Sequence, residues 1–316
     1  MPRPTLGSDN KQTFARKPVF PAFRETAVNL ISTPESVLAV ALAAMERTPD
    51  PRLREVMAAL TRHLHAFAQE VRLTEAEFER AIGFLVGIGQ ATGPKKNEVV
   101  LAADLLGVST LVALLNNPGN AGGESPAALL GPFWRERAPL CEPGESIARA
   151  GTPGVPLEVR GTVRDPQGRP VAGAVVDVWQ ASPVGLYENQ DDSQPDMNLR
   201  GRFTTDAQGA YFLRSVVPAG YPVPTDGPCG ELLRAQRRHP NRPAHLHFMI
   251  SQPGFKVRVS QVFADTDENL DSDPVFGVTR SLVGRFELDA DGAQARLQQD
   301  FTLEPGETVF PKAPIP

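Results

Sequence analysis

The chain has 316 residues, with 41% hydrophobic and 22% charged, a composition that can bury a sizeable core. Lys plus Arg number 32 against 37 Asp plus Glu, a formal charge of -5 that excludes a broad nucleic-acid surface. Two cysteines cannot make a disulfide framework, no apolar run reaches the roughly 18 residues of a membrane helix, and residues 1–34 lack the order of a signal peptide. A reducing cytoplasm is the expected location, and the length fits about two domains.

The predicted elements begin with helices. Thr33 before Pro34 and Glu35 reads as an N-cap, with apolar residues through Met45. Asp50-Pro51 opens a second helix, where Leu53, Val56, Met57, Leu60, Leu64 and Phe67 form a stripe expected to be buried. Thr74 and Glu77 make a capping box for a third helix to about Gly89. Asn97–Asn116 reads as a single fourth helix, apolar on most sides. A Gly/Ser/Pro-rich linker follows at 120–128. Residues 1–127 are therefore expected to be a helical domain with its linker, and 128–316 a catalytic domain.

Beyond Gly151 the period changes to two. Strands are predicted at Leu157–Arg164, Val175–Trp179, Tyr211–Val217, Ala244–Ser251, Val257–Ala264, Leu282–Leu288 and Ala295–Leu303. Many short strands between Gly/Pro turns predict an antiparallel β-sandwich. The fold class is mixed, with an α-helical N-terminal domain followed by that sandwich.

The chain contains no Walker loop, nucleophile elbow, His-Glu-x-x-His or Cys-x-x-Cys. The informative segment is Arg242-Pro243-Ala244-His245-Leu246-His247-Phe248-Met249-Ile250. On a strand His245 and His247 share one face and can meet one metal, with Leu246, Phe248 and Ile250 facing a core. His63 and His65 have the same spacing on a helix, where i and i+2 diverge, and are expected to be one surface and one partly buried residue. His239, in a basic loop, is expected to be solvated. Of the three tyrosines, Tyr211 sits in a strand and reads as packing, whereas Tyr187 and Tyr221 lie in loops. Two phenolates with two imidazoles would favour Fe(III), a hard trivalent ion able to ionise phenols of ordinary pKa about 10.

Together with Gly161-Thr162-Val163, Asp177-Val178-Trp179-Gln180-Ala181, Asn198-Leu199-Arg200-Gly201-Arg202-Phe203 and Tyr221-Pro222-Val223-Pro224-Thr225-Asp226-Gly227-Pro228, these residues resemble the intradiol ring-cleavage dioxygenases. The helical part resembles the dimer-forming domain of the catechol 1,2-dioxygenase branch, and Leu130-Gly131-Pro132-Phe133 its junction motif. The resemblance implies one non-haem Fe(III) per chain on Tyr187, Tyr221, His245 and His247, with Tyr221 also leaving the metal to accept a substrate proton. It further implies Arg242 beside the substrate ring and Gln261 lining the same cavity. Substrate-binding positions map to Leu101, Asp104, Leu130, Gly131, Pro132, Phe133, Val223 and Pro224. Residues 194–201 and 221–227 are most similar to the hydroxyquinol 1,2-dioxygenase branch, with Asp104 as acceptor for a third ring hydroxyl. Trp134 and Gln261 depart from that branch, which keeps catechol or a chlorocatechol as alternative substrates.

The implied partners are a small aromatic diol, O2 and a second copy of the chain, with a phospholipid at the dimer interface. The dimer is expected through the N-terminal helices, from Val37, Leu38, Val40, Leu42 and Met45. Two rivals stand beside this reading. One is a non-catalytic transthyretin-like β-sandwich. The other is an Fe(II) site of two histidines and one carboxylate, with Asp226 as the acid.

Overall fold

A computed structural model describes residues 30–93, 96–117 and 125–313. The chain divides into two compact units, Met1–Phe78 and Glu79–Pro316. That division does not follow the change of composition near residue 120, because the last helices before the linker fall in the unit that holds the sheets.

The first unit carries α1 (Pro34–Met45) and α2 (Pro51–Glu70). Thr33 and Ser36 close a capping box on α1, and the Asp50 carboxylate accepts from the Arg52 and Leu53 amides at the start of α2. These starts were legible from the sequence. The apolar faces differ from expectation. Val37, Leu38, Val40, Leu42 and Met45 are half-buried, in a helix that packs on α2. The stripe expected to be buried, from Leu53 to Phe67 on α2, is exposed. Helical spacing identifies a shared face but not what covers it. His63 is exposed and His65 half-buried, as their divergence on a helix requires.

α3 (Glu75–Ala91) begins at the predicted capping box, where the Glu77 amide donates to Thr74 Oγ1 and the Thr74 amide to Glu77 Oε2. The single helix expected at Asn97–Asn116 is two, α4 (Glu98–Leu105) and α5 (Val108–Asn116), bent by 78°. Gly107 makes the break at φ 72°, a left-handed conformation open to glycine. A Cβ there would also meet the Phe276 ring at 3.3 Å. Among the described residues no single helix is long and apolar enough to cross a membrane.

Two five-stranded sheets and a two-stranded ribbon follow. In the first sheet β1 (Pro156–Arg164) pairs with β4 (Ala210–Val216) on one edge. Its other edge takes β11 (Ala295–Gln298) and then β12 (Phe301–Thr302), and β10 (Glu287–Leu288) pairs with β11. The second sheet runs β3 (Arg200–Thr204), β2 (Val175–Trp179), β7 (His245–Ser251), β8 (Arg258–Ala264), β9 (Val283–Gly284). The ribbon pairs β5 (Tyr221–Pro222) with β6 (Asn241–Arg242).

The sheets are mixed rather than antiparallel, since β1 runs parallel to β11 and β12, and β8 parallel to β9. Alternation marks a strand and its buried face but carries no information on a partner's direction. Parallel partners need long crossovers, and here β11 returns to β1 after more than a hundred residues of intervening chain. The sandwich core gathers Val159 and Val163 from β1, Leu213 from β4, Val176 and Val178 from β2, and Leu246, Phe248 and Ile250 from β7. Tyr211 packs there as expected, stacked on Phe301, with its hydroxyl donating to the Gln299 carbonyl. β3 and α6 (Pro228–Ala235) were not anticipated, although Pro228 stands at the first position of α6, where proline favours a helix start.

Candidate active site

With Leu246, Phe248 and Ile250 committed to the core, the pleat of β7 turns His245 and His247 to the opposite face. Sheet register then chooses their neighbours. Trp179 of β2 and Gln261 of β8 flank His247, and Phe263 lies opposite His245. Trp179 stacks on the His247 ring at 4.8 Å and 11°. The two histidines are buried, with Nε2 atoms 3.1 Å apart. His245 Nδ1 lies 2.7 Å from the Pro243 carbonyl oxygen and donates to it, which leaves the Nε2 lone pair facing the site. Burial and the neighbouring Arg242 push the His245 pKa down to about 3. Burial, with His245 beside it, drives His247 well below its ordinary value. Both rings are therefore neutral lone-pair donors near pH 7.

Tyr187 reaches the same point from the chain leaving β2. Its amide donates to Gln190 Oε1 at 3.1 Å, and its ring stacks on Phe133 at 4.5 Å. Buried Arg200 fastens this segment, with Nε 2.7 Å from Glu188 Oε2 and Nη1 donating to the Phe133 carbonyl at 2.6 Å. Tyr221 comes from the ribbon, directly across from Arg242. Its ring meets Tyr187 edge-on at 5.4 Å and lies 5.5 Å from the His245 ring. The Tyr187 hydroxyl is fully buried and makes no hydrogen bond. Burial, then Tyr221, holds its pKa well above the ordinary phenol value. An unpaired buried hydroxyl costs about 1–3 kcal/mol. A cation removes that cost and supplies the charge that ionises a phenol in so dry a place. Two tyrosines and two neutral imidazoles thus fit a hard, highly charged metal ion.

Arg242 is a second buried cation, beside Arg200, and the one that reaches Tyr221 and His245. Its Nη1 lies 3.5 Å from the Tyr221 hydroxyl and 3.3 Å from His245 Nε2, and its Nη2 donates to Gln261 Oε1 at 3.3 Å. Gln261 Nε2 donates to the Leu129 carbonyl at 2.7 Å, fixing the amide. A cleft of about 600 Å³, counting its open mouth, leads inward to Tyr221 and Arg242. Of the predicted substrate positions, Leu101, Asp104, Gly131, Pro132, Phe133, Val223 and Pro224 line it. Leu130 does not; it packs against the aromatic cluster of Phe133, Trp134, Tyr187 and Tyr221. Gly131 has φ 74°, and a Cβ there would stand 3.1 Å from His247 Cε1, so the wall must be glycine. Burial raises the pKa of half-buried Asp104, against a hydrogen bond from Ser109 and the charge of Arg242.

Asp226, the acid of the Fe(II) rival, is elsewhere. Its side chain is 74% exposed and paired with Lys96 at 2.8 Å. Among the described residues no three of His, Cys, Asp and Glu gather as a metal cage. That rival loses its carboxylate.

Comparison with known proteins agrees with this geometry. The family model described as "Dioxygenase" matches residues 129–305, and "Catechol dioxygenase N terminus" matches 50–124. The chain is 45% identical over 264 residues to a 6-chlorohydroxyquinol 1,2-dioxygenase of Cupriavidus pinatubonensis, covering 84% of this chain and 95% of that protein. The chain belongs to the intradiol ring-cleavage dioxygenase family. A hydroxyquinol 1,2-dioxygenase of Nocardioides simplex is 42% identical over 84% of this chain and 93% of its own length. The crystal structure of a hydroxyquinol 1,2-dioxygenase from Pseudomonas putida DLL-E4 superposes with a TM-score of 0.81 at 41% identity, over 86% of this chain and 99% of that one. The protein is thus a ring-cleaving dioxygenase, and the non-catalytic sandwich reading falls.

Several residues of the dioxygenase site were missed from the sequence. Trp179 could have been found, since β2 alternates and one face must meet its neighbour strand. Glu188, Arg200 and Asp273 carry no local signal, because each finds its partner across 12 or more positions of chain. His239 is half-buried rather than solvated, with a buried Nε2 lacking a partner and Nδ1 accepting from the Asn241 amide at 3.2 Å.

Proposed function

We propose that this dioxygenase opens hydroxyquinol between adjacent hydroxyls with O2, giving a 3-hydroxymuconate that tautomerises to maleylacetate. The supporting observation is the convergence of Tyr187, Tyr221, His245 and His247, with Asp104 in the cleft leading to them. Enzymes of this family use non-haem iron, and those four side chains would hold one Fe(III) per chain. When bound, the metal supplies Lewis acidity toward the phenols and the diol, and a redox partner for O2.

The remaining work belongs to the chain. With the metal bound, Tyr221 Oη would be held as a phenolate and could accept a proton from one diol hydroxyl. Arg242 Nη1, already directed at Tyr221, stabilises the negative charge that grows on the ring. Gln261 holds Arg242 and His247 in register. Leu101, Val223, Pro224 and the Gly131–Phe133 wall exclude water and hold the planar ring in one orientation. Asp104 accepts the hydrogen bond of a third hydroxyl. Catechol has no third hydroxyl to donate there.

The exposed stripe on α2 supports a homodimer through the N-terminal helices, with a phospholipid chain as one way to cover what remains apolar. The cytoplasm remains the proposed location. Oxygen uptake with hydroxyquinol and catechol, alongside iron content and the visible spectrum, tests the reading. The expected protein is red-brown, binds one iron per chain, consumes one O2 per ring and prefers hydroxyquinol. Preference for catechol would overturn the substrate assignment, and a colourless active enzyme the donor set. A monomer on sedimentation at micromolar concentration would overturn the dimer.

A further inference from the structure

Arg242 has five N–H donors, and the structure disposes of them unequally. Its far edge is held by one carboxylate: Nε lies 3.1 Å from Asp273 Oδ1, and Nη2 3.1 Å from Asp273 Oδ2. Both residues are buried, at 3% and 4% exposure. A parallel fork of this kind fixes the plane of a guanidinium as well as its position. With Nε and Nη2 engaged there and at Gln261, Nη1 alone faces Tyr221 and His245.

The segment bearing the carboxylate, Asp273–Gly277, is itself pinned. The Gly277 amide donates to Asp273 Oδ2 at 2.9 Å, folding the loop back onto the carboxylate. Arg238 donates to the Pro274 carbonyl at 2.6 Å and to the Leu105 carbonyl at 3.0 Å, tying the loop to the end of α4. Thr110 of α5 donates to the Val275 carbonyl at 3.3 Å. Phe276 sits at φ 54°, a left-handed conformation costly for an aromatic residue, and Arg238 lies over its ring at 4.8 Å. Gly277 has no room for a side chain: a Cβ would stand 2.8 Å from Arg242 Nη2 and 3.1 Å from Asp273 Oδ2. The anchored, strained loop delivers one carboxylate to one guanidinium.

We propose that Asp273 is the positioning residue of the ring-cleavage reaction: through the loop Asp273–Gly277 it holds the Arg242 guanidinium so that only its Nη1 edge meets the bound diol. The inference rests on the proposed function, because it takes Arg242 as the group beside the ring. It adds a residue whose side chain does not line the cleft. It also gives the bend at Gly107 a purpose, since only a broken helix lets the end of α4 and the start of α5 both grip this loop.

The test uses Asp273→Asn, which keeps the shape but replaces one acceptor with a donor facing Arg242. Gly277→Ala crowds the guanidinium without altering any charge, and Asp273→Glu restores the carboxylate at a longer reach. Each is compared with wild type for iron content, melting temperature, kcat and KM, and for the change in visible spectrum when hydroxyquinol is titrated without oxygen. In Asp273→Asn the expected result is retained iron, a kcat lowered at least tenfold per iron, and an altered anaerobic spectrum of the diol complex. Gly277→Ala should lower kcat several-fold in the same direction, and Asp273→Glu should recover part of the loss. Wild-type kcat and spectrum in both Asp273→Asn and Gly277→Ala, with only a lower melting temperature, would overturn the proposal and leave the loop a structural tie. If Asp273→Asn does not fold, Gly277→Ala decides by the same two readouts. A wild-type protein that cleaves no diol would instead defeat the functional reading.

Discussion

The two sides of the site are built by different rules. On the sheet side, His245, His247, Tyr187 and Tyr221 are all at most 4% exposed, and each ring is fixed by register, stacking or a buried ion pair. On the helix side, α4 presents Leu101 and a half-buried Asp104 whose partners are few. On the proposed function, the difference separates chemistry from choice. A dry, rigid wall can hold charge that water would screen, whereas a wall of one short helix can vary its side chains without disturbing the donors.

Changes on the sheet side should therefore abolish the reaction, and the largest effect is expected at Tyr221. Tyr221→Phe removes the proposed proton acceptor but leaves Tyr187 as a proposed donor, so turnover should fall about 100- to 10,000-fold while some iron and colour persist. The measurements are kcat per bound iron and the visible band. Unchanged turnover would place the proton elsewhere and break the comparison at its centre.

A second effect lies beneath the aromatic cluster, where Asp177 accepts from Trp134 Nε1 at 3.1 Å. Burial raises the Asp177 carboxyl to about 6, against 3.8 for a free aspartate, even with that hydrogen bond opposing. The folded chain keeps a proton that the unfolded chain releases between those values. This contribution is thus fully present below about pH 4 and is lost as the pH rises through 6, amounting to about 3 kcal/mol. Urea unfolding of wild type and Asp177→Asn should diverge across that window, with the variant relatively more stable at pH 7. Parallel curves would show that this side of the site is wetter than its burial indicates.

The smallest effect belongs to the helix side and sharpens the contrast. Asp104→Ala leaves the third hydroxyl of hydroxyquinol unpaired in a mostly apolar cleft, a cost of about 1–3 kcal/mol. The ratio of kcat/KM for hydroxyquinol over catechol should fall about five- to 150-fold, with catechol turnover little changed. An equal loss on both substrates would make Asp104 part of the wall rather than a selector.

Much of this protein was legible from local pattern, because short-range physics repeats at fixed intervals. Capping residues announced α1, α2 and α3, since a helix start must satisfy its free amides within a few residues. Period two put His245 and His247 on one face and Leu246, Phe248 and Ile250 on the other, as any pleated strand must. What the sequence by itself determined was thus where these helices begin and which face of β7 carries the two histidines. The tertiary structure alone decided the rest. It broke the helix at Gly107, ran β11 and β12 parallel to β1, exposed the α2 stripe, and brought Asp273 behind Arg242 across 31 positions of chain. These outcomes depend on how distant segments close on one another, and no local period encodes a partner's direction, its distance or the surface left uncovered.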